Sequence, residues 1–152
     1  MQITAGTLEV LNGALLSASN FGTDAAGNVI LEIRETAHFE GSDPFDGSVS
    51  RAASSIEASG EGQGGDVQIA AGNLKVLGGA QLIASTFGVG TAGNVILEIR
   101  ETAYFESSDP ISGSPSGAFS GIEPNGEGQG GMCKSQQLIL KFATVQSFVF
   151  LL

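Results

Sequence analysis

The sequence predicts an all-β chain, a right-handed parallel β-helix (solenoid) of about four coils, and three observations point there. A tandem 66-residue repeat runs through most of the chain, glycine interrupts it at short intervals, and the segments between glycines alternate apolar and polar residues. The bulk composition agrees. A chain of 152 residues with 41% hydrophobic content is long and apolar enough to fold around a core. Its 23 glycines against 4 prolines call for many tight turns between short elements.

The repeat is read by sliding the sequence along itself. Ile3 recurs as Ile69, Phe21 as Phe87, Asn28 as Asn94 and Glu61 as Glu127, all at one offset and with no gap. Residues 1–65 match residues 67–131 at about two positions in three, and the run Gly27–Ala37 returns unchanged as Gly93–Ala103. The chain thus divides into a repeat region, 1–131 (first repeat 1–66, second repeat 67–131), and an off-pattern C-terminal tail, 132–152. Units of this kind stack, because none buries its apolar face alone.

A weaker signal subdivides each unit. Gly-Asn-Val opens at Gly27 and Gly93 and Gly-Asp-Val at Gly65, so a longer step, Gly27 to Gly65, alternates with a shorter one, Gly65 to Gly93. Successive coils are therefore expected at 1–26, 27–64, 65–92 and 93–130, each with three short strands. In the third coil these are Val67–Ala70, Leu74–Leu77 and Ala80–Ser85, separated by turn residues Ala71-Gly72-Asn73 and Gly78-Gly79. Strand alternation turns Val67, Ile69, Leu74, Val76, Leu82 and Ala84 inward and Gln68, Lys75 and Gln81 outward. In the fourth coil Val95, Leu97, Ile99, Ala103, Phe105 and Ile122 point inward, and Glu98 and Arg100 outward. Asn28–His38 contains good helix formers, but its flanking glycines and Val-Ile-Leu-Glu-Ile alternation favour a strand.

The longer coil carries extra residues at Ser42–Ser54 and Ser108–Ser120, the least similar part of the repeat. Asp43-Pro44-Phe45-Asp46-Gly47 and Asp109-Pro110-Ile111-Ser112-Gly113 are turn sequences that open a protruding loop, since Pro presets its backbone angle and Gly tolerates positive φ. Loops on a rigid scaffold are common places for recognition.

Charge and chemistry narrow the function. A formal net charge of −10 argues against nucleic acid and anionic membranes as partners, both of which need clustered Lys and Arg. Glu32, Glu35, Glu40 and Asp43 recur as Glu98, Glu101, Glu106 and Asp109, which raises a carbohydrate-processing β-helix, a polysaccharide lyase or hydrolase, as the alternative from another class. Duplication copies solvent-facing residues equally well, and the single histidine, His38, becomes Tyr104 in the second copy. Gly62-Gln63-Gly64-Gly65-Asp66-Val67 resembles a calcium-binding nonapeptide, but the spacing is wrong and no adjacent nonapeptide completes the oxygen shell. The Gly-rich turns lack the Lys-Ser or Lys-Thr of a phosphate cradle. No residue of the sequence is expected to be catalytic, cofactor-binding or metal-binding, and no cofactor is expected.

Cys133 is the only cysteine, so no intrachain disulfide forms. Met1–Gly6 has neither a basic region nor an apolar stretch, and no signal peptide is expected within this chain. Leu138–Leu152 is apolar but interrupted by Lys141 and Gln146, and falls short of a spanning helix.

With its Gly-Asn-Val openings, its Gly-Ala-x-Leu-x-Ala-Ser-x-Phe-Gly segments at Gly13–Gly22 and Gly79–Gly88, and its Gly-Glu-Gly-Gln-Gly-Gly closures, residues 1–131 resemble filamentous-haemagglutinin-like exoproteins. That resemblance, which extends to S-layer family proteins, implies a long β-helix at the cell surface. It also implies two-partner secretion through an outer-membrane pore, adhesive or matrix roles and no enzymatic cofactor. Cell-surface or extracellular-matrix partners are expected without being specified, and open strand edges would permit edge-to-edge self-association. After Gly131, where the repeat predicts Asp-Val-Gln-Ile, the chain reads Met132-Cys133-Lys134-Ser135 and leaves the family's pattern. A truncated gene product or an apolar capping strand are the two accounts of that end, and the family's N-terminal secretion domain has no counterpart in the sequence.

Overall fold

The computed structural model describes the backbone of residues 1–144 and the side chains of residues 1–135. Over that span the chain is all β, without a helix, and every pairing between strands is parallel. In chain order the strands are β1 (Gln2–Ala5), β2 (Leu8–Leu11), β3 (Leu15–Ser17), β4 (Val29–Glu40), β5 (Arg51–Ala53), β6 (Glu61–Gln63) and β7 (Val67–Leu77). They continue as β8 (Gln81–Ile83), β9 (Val89–Thr91), β10 (Val95–Glu106), β11 (Gly117–Phe119), β12 (Glu127–Gln129) and β13 (Cys133–Thr144). Three sheets result. The first runs β1-β4-β7-β10-β13 with β2 also on β4, the second β3-β5-β8-β11 and the third β6-β9-β12.

Strand partners repeat the two steps read in the sequence. Ile3 faces Leu31 and Val67 faces Val95 across the shorter step, whereas Val29 faces Val67 and Val95 faces Cys133 across the longer. The alternation of side chains is as expected. Val67, Leu74, Val76, Leu82, Ala84, Val95 and Ala103 are fully buried, with Ile69, Leu97, Ile99 and Phe105 nearly so. Lys75, Glu98 and Arg100 are exposed. Ile122 is only partly buried, although its counterpart Ile56 is fully buried. Inward residues of the first two sheets form one contiguous core.

That core is organised in columns running across the sheets, and most of them alternate in size. Leu8, Ala37, Leu74 and Ala103 make one; Val10, Phe39, Val76 and Phe105 another; Ala5, Ile33, Ala71 and Ile99 a third. Leu16, Ala52, Leu82 and Ala118 do the same in the second sheet. A large residue is thus packed between two smaller ones, which fills space at crystal-like density without forcing rotamers.

Three local expectations are settled differently or decided by the partner strands. Ala71-Gly72-Asn73 is not a turn: β7 is continuous, and Ala71 is fully buried within it. The register shift explains why. Ile33 faces Ala71 but Thr36 faces Asn73, so Arg34 and Glu35 together oppose Gly72 in a β-bulge. A Cβ at Gly72 would lie 2.5 Å from the Glu35 carbonyl oxygen, and glycine is what lets the extra residue fit. Ala80–Ser85 contains only the short β8, and the third strand is β9, in a segment the apolar pattern did not mark. β6, β9 and β12 stack through Gly62, Gly90 and Gly128, whose positive φ and close carbonyl contacts exclude a side chain. Finally, Asn28–His38 forms strand and not helix, as its alternation favoured.

A polar column runs beside the bulge-bearing sheet. The Asp66 N–H donates to Asn28 Oδ1 (2.9 Å), the Asn94 N–H to Asp66 Oδ1 (2.8 Å) and the Met132 N–H to Asn94 Oδ1 (3.0 Å). The tail enters the same frame. Although its sequence leaves the repeat, β13 pairs with β10 and shows the same register shift, at Ile99/Thr102. Residues 138–144 of the apolar stretch lie in β13, and residues 145–152 lie outside the described residues.

The bulge supplies a test with an internal control. Gly6 is the first-repeat counterpart of Gly72, yet its nearest neighbour for an added Cβ is the Arg34 side chain at 3.6 Å. Gly72→Ala is expected to destabilise by about 1–3 kcal/mol through overpacking, and Gly6→Ala to stay within about 0.5 kcal/mol of the parent. Urea melts of both variants measure the difference, and equal midpoints would contradict the bulge.

Candidate interaction surface

The two loops are built from their aspartates. Ser42 bridges Val49 and Ser108 bridges Pro115 in antiparallel fashion, closing each loop at its base. In the first, the Asp43 N–H donates to the Ser48 carbonyl, the Gly47 N–H to the Asp43 carbonyl and the Phe45 N–H to Asp43 Oδ1 at 2.7 Å. Gly47, with φ +73°, makes the return. Asp109 plays the same part in the second loop, accepting from the Ser112 N–H at 2.5 Å and the Ile111 N–H at 3.1 Å. The loops are joined to each other, because the Ser42 hydroxyl donates to Asp109 Oδ1 at 2.6 Å.

These donors stabilise the charged form of Asp109. The Ser112 backbone N–H, then the Ser42 hydroxyl, hold its carboxyl down to about 2. Each loop presents an apolar tip: Phe45 is 96% exposed and Ile111 67%.

The other recurring carboxylates are dispersed. Glu32 and Glu98 lie on one row of the outer face of the first sheet with Ala70 between them, bordering a cleft of about 130 Å3. Thr4 donates to Glu32 at 3.1 Å and the Asn73 amide to Glu101 at 2.9 Å. Glu35 receives Thr7 at 3.4 Å, and Glu40 Oε2 lies 2.8 Å from His38 Nε2. Glu106 hydrogen-bonds Tyr104, which raises the phenol pKa. Glu32 and Glu40 belong to a single strand and stand about 26 Å apart along it at the usual strand rise. The carboxylates do not converge on one point.

Asp66 Oδ1 is occupied by the backbone and side-chain N–H groups of Asn94. Cys133 is half-buried against the core; burial pushes its thiol up to about 11, and it donates to the Ala118 carbonyl at 3.6 Å. Such a thiol stays protonated and weakly nucleophilic.

A second feature escaped the reading of the sequence. On the outer face of the second sheet, Leu15, Phe21, Ile83 and Phe87 border a cleft of about 200 Å3, with one cation, Arg51, and one carboxylate, Glu57, on its lining. The signal for it lies in the comparison of repeats. From 48 to 56 against 114 to 122 the residues alternate strictly between kept and changed: Ser48, Ser50, Ala52, Ser54 and Ile56 are kept, whereas Val49, Arg51, Ala53 and Ser55 become Pro115, Gly117, Phe119 and Gly121. The kept set faces inward or holds the backbone. Ala52 is fully buried, Ser50 Oγ donates to the Glu40 carbonyl, and Ser54 Oγ donates to that of Gly27.

The clasp at Asp109 sets a pH dependence. Its folded value is depressed, so its contribution is complete above the unfolded value of 3.8 and is lost as pH falls towards about 2. Hydrogen exchange at Ser112 should therefore remain slow, after correction for intrinsic rates, at pH 5 and accelerate between about pH 3 and 2; equal protection in Asp109→Ala would show that the carboxylate holds nothing. Comparison of the chain with protein-family models, curated proteins and solved structures finds no match in any of the three.

Proposed function

We propose that this chain is a stretch of right-handed parallel β-helix, about four coils of a solenoid, within a larger secreted or cell-surface protein of the filamentous-haemagglutinin-like kind. Its role in this reading is structural and adhesive, without enzymatic activity. One observation carries the proposal: strands pair in parallel across a shorter and a longer step in alternation, the same two steps that separate the glycine-marked openings at Gly27, Gly65 and Gly93. A chain that advances by one strand spacing per coil satisfies its backbone along the stack. The resemblance of residues 1–131 supplies the cellular setting.

In this setting the whole protein would leave the cell through an outer-membrane secretion pore and meet cell-surface or matrix partners through its loops and outer faces. The outermost strands, β1, β2, β3 and β6 on one side and β11, β12 and β13 on the other, each have one unpaired side among the described residues, and these are the places for edge-to-edge self-association.

Two measurements test the reading. Proteins with extra repeat units inserted in tandem should scatter X-rays as rods of constant cross-section, lengthening by about 9.6 Å per unit, two strand spacings; compact particles or independent beads would refute the solenoid. Antibody against residues 42–54 should label intact producing cells, and labelling only after permeabilisation would refute the surface role.

A further inference from the structure

We infer that Phe21, Glu57 and Phe87 form a cage for a quaternary ammonium group, of the kind choline carries, at one end of the outer cleft of the second sheet. The inference rests on the described fold and is independent of the surface role proposed above. Three observations carry it.

First, two aromatic rings flank one carboxylate. Asn20 and Thr86 both bridge Ile56, and the next residues continue the ladder: the Glu57 N–H donates to the Asn20 carbonyl (2.9 Å) and the Phe87 N–H to that of Ile56 (2.7 Å). Phe21, Glu57 and Phe87 therefore stand on one row across three adjacent segments, and all three border the same cleft. At about 4.8 Å per strand, a cation seated over Glu57 lies about 4.8 Å from the row of either ring. That is inside the roughly 6 Å within which a cation is attracted to a ring face. Both rings are open to solvent in part, Phe21 at 69% and Phe87 at 36%.

Second, the carboxylate is uncommitted. Glu57 is half-buried, and its carboxylate has no hydrogen-bond or ion-pair partner among the described residues. Arg51, the one cation on the cleft lining, belongs to the other end: it faces Leu15 and Gln81 across the sheet and forms no ion pair with Glu57. The field between the rings is thus set by Glu57, within a chain of net charge −10. The next member of the row is again a carboxylate, because Thr86 also bridges Ile122 and Glu123 follows it. A further repeat would place Glu123 between two rings in turn.

Third, the lining selects the kind of cation. Calcium and magnesium take about six or more oxygen ligands, and no group of three or more side chains able to hold a metal ion exists among the described residues. A primary ammonium is a compact, strongly hydrated charge with three donors to satisfy. A trimethylammonium group spreads its charge over methyl surface, lies against ring faces and needs no hydrogen bond. Its bulk is close to that of benzene, for which a cavity on the order of 150 Å3 suffices, and the cleft encloses about 200 Å3.

The experiment titrates the full chain with choline, tetramethylammonium and 3,3-dimethylbutan-1-ol, the uncharged isostere of choline, and follows the methyl resonances of each by NMR. Both cations should bind roughly tenfold or more tightly than the isostere. Glu57→Gln and Phe21→Leu should each weaken choline binding about fivefold or more, whereas Arg51→Gln should leave it within about twofold. None of the three side chains is in the core, and circular dichroism verifies the fold of each variant. An isostere that binds as well as choline, ammonium ion that competes as well as tetramethylammonium, a Glu57→Gln or Phe21→Leu chain that binds as the parent, or a requirement for Arg51 would each overturn the inference. Sedimentation with phosphatidylcholine vesicles separates the sources of the group: a chain that pellets and is released by choline takes a lipid headgroup, and one that stays in solution while binding choline takes a soluble ligand.

Discussion

The structure depends on the parallel ladder between strands of successive segments, shorter on longer, because the columns of the core exist only in that register. In the columns that alternate, Leu8, Leu74, Leu16 and Leu82 come from the shorter segments and meet Ala37, Ala103, Ala52 and Ala118 from the longer ones, whereas Phe39 and Phe105 meet Val10 and Val76. Neither kind of segment would pack as well on its own kind: leucine on leucine overfills a column, and alanine on alanine leaves a void. This complementarity explains why the sequence repeats over a pair of segments and not over a single one.

The fold was legible wherever burial imposed period two. Val67, Ile69, Leu74 and Val76 showed their facing directly, and Gly78-Gly79 showed a turn that the positive φ of both residues bears out. Gly72 misled because glycine marks both turns and bulges, and only the partner strand, with Arg34 and Glu35 opposite, decides between them. β9 was hidden because Val89-Gly90-Thr91 is held by backbone stacking on Gly62, with little apolar burial to leave a pattern. For the candidate surface, Asp43 and Asp109 were visible as turn residues, but the cleft beside Phe21 and Phe87 was not. It joins residues from three strands' surroundings, and a linear reading has no register with which to bring them together.

Loop and frame are mechanically separate. Asp43, Gly47 and Ser50 keep the loop closed, and their counterparts Asp109, Gly113 and Ser116 are the same residue types. Phe45, whose side chain has no part in that closure, differs between copies. The extra length of the longer segment falls largely in this excursion, so the ladder on either side is indifferent to the loop's tip. The Ser42 hydroxyl on Asp109 is the tie that fixes one loop against the next.

The asparagine-aspartate column has a polarity that the sheets themselves lack. Each side-chain oxygen, in Asn28, Asp66 and Asn94, receives an N–H from the residue further along the chain, and the receiving position at Met132 offers only a thioether, a weak acceptor, in return. Alignment is thereby handed forward one step at a time, like successive teeth of a ratchet, and methionine is where the ratchet loses its next tooth. A further strand laid on the outer side of β13 would be aligned by backbone and core contact without this guide, and a misaligned register there would meet no polar penalty from the column.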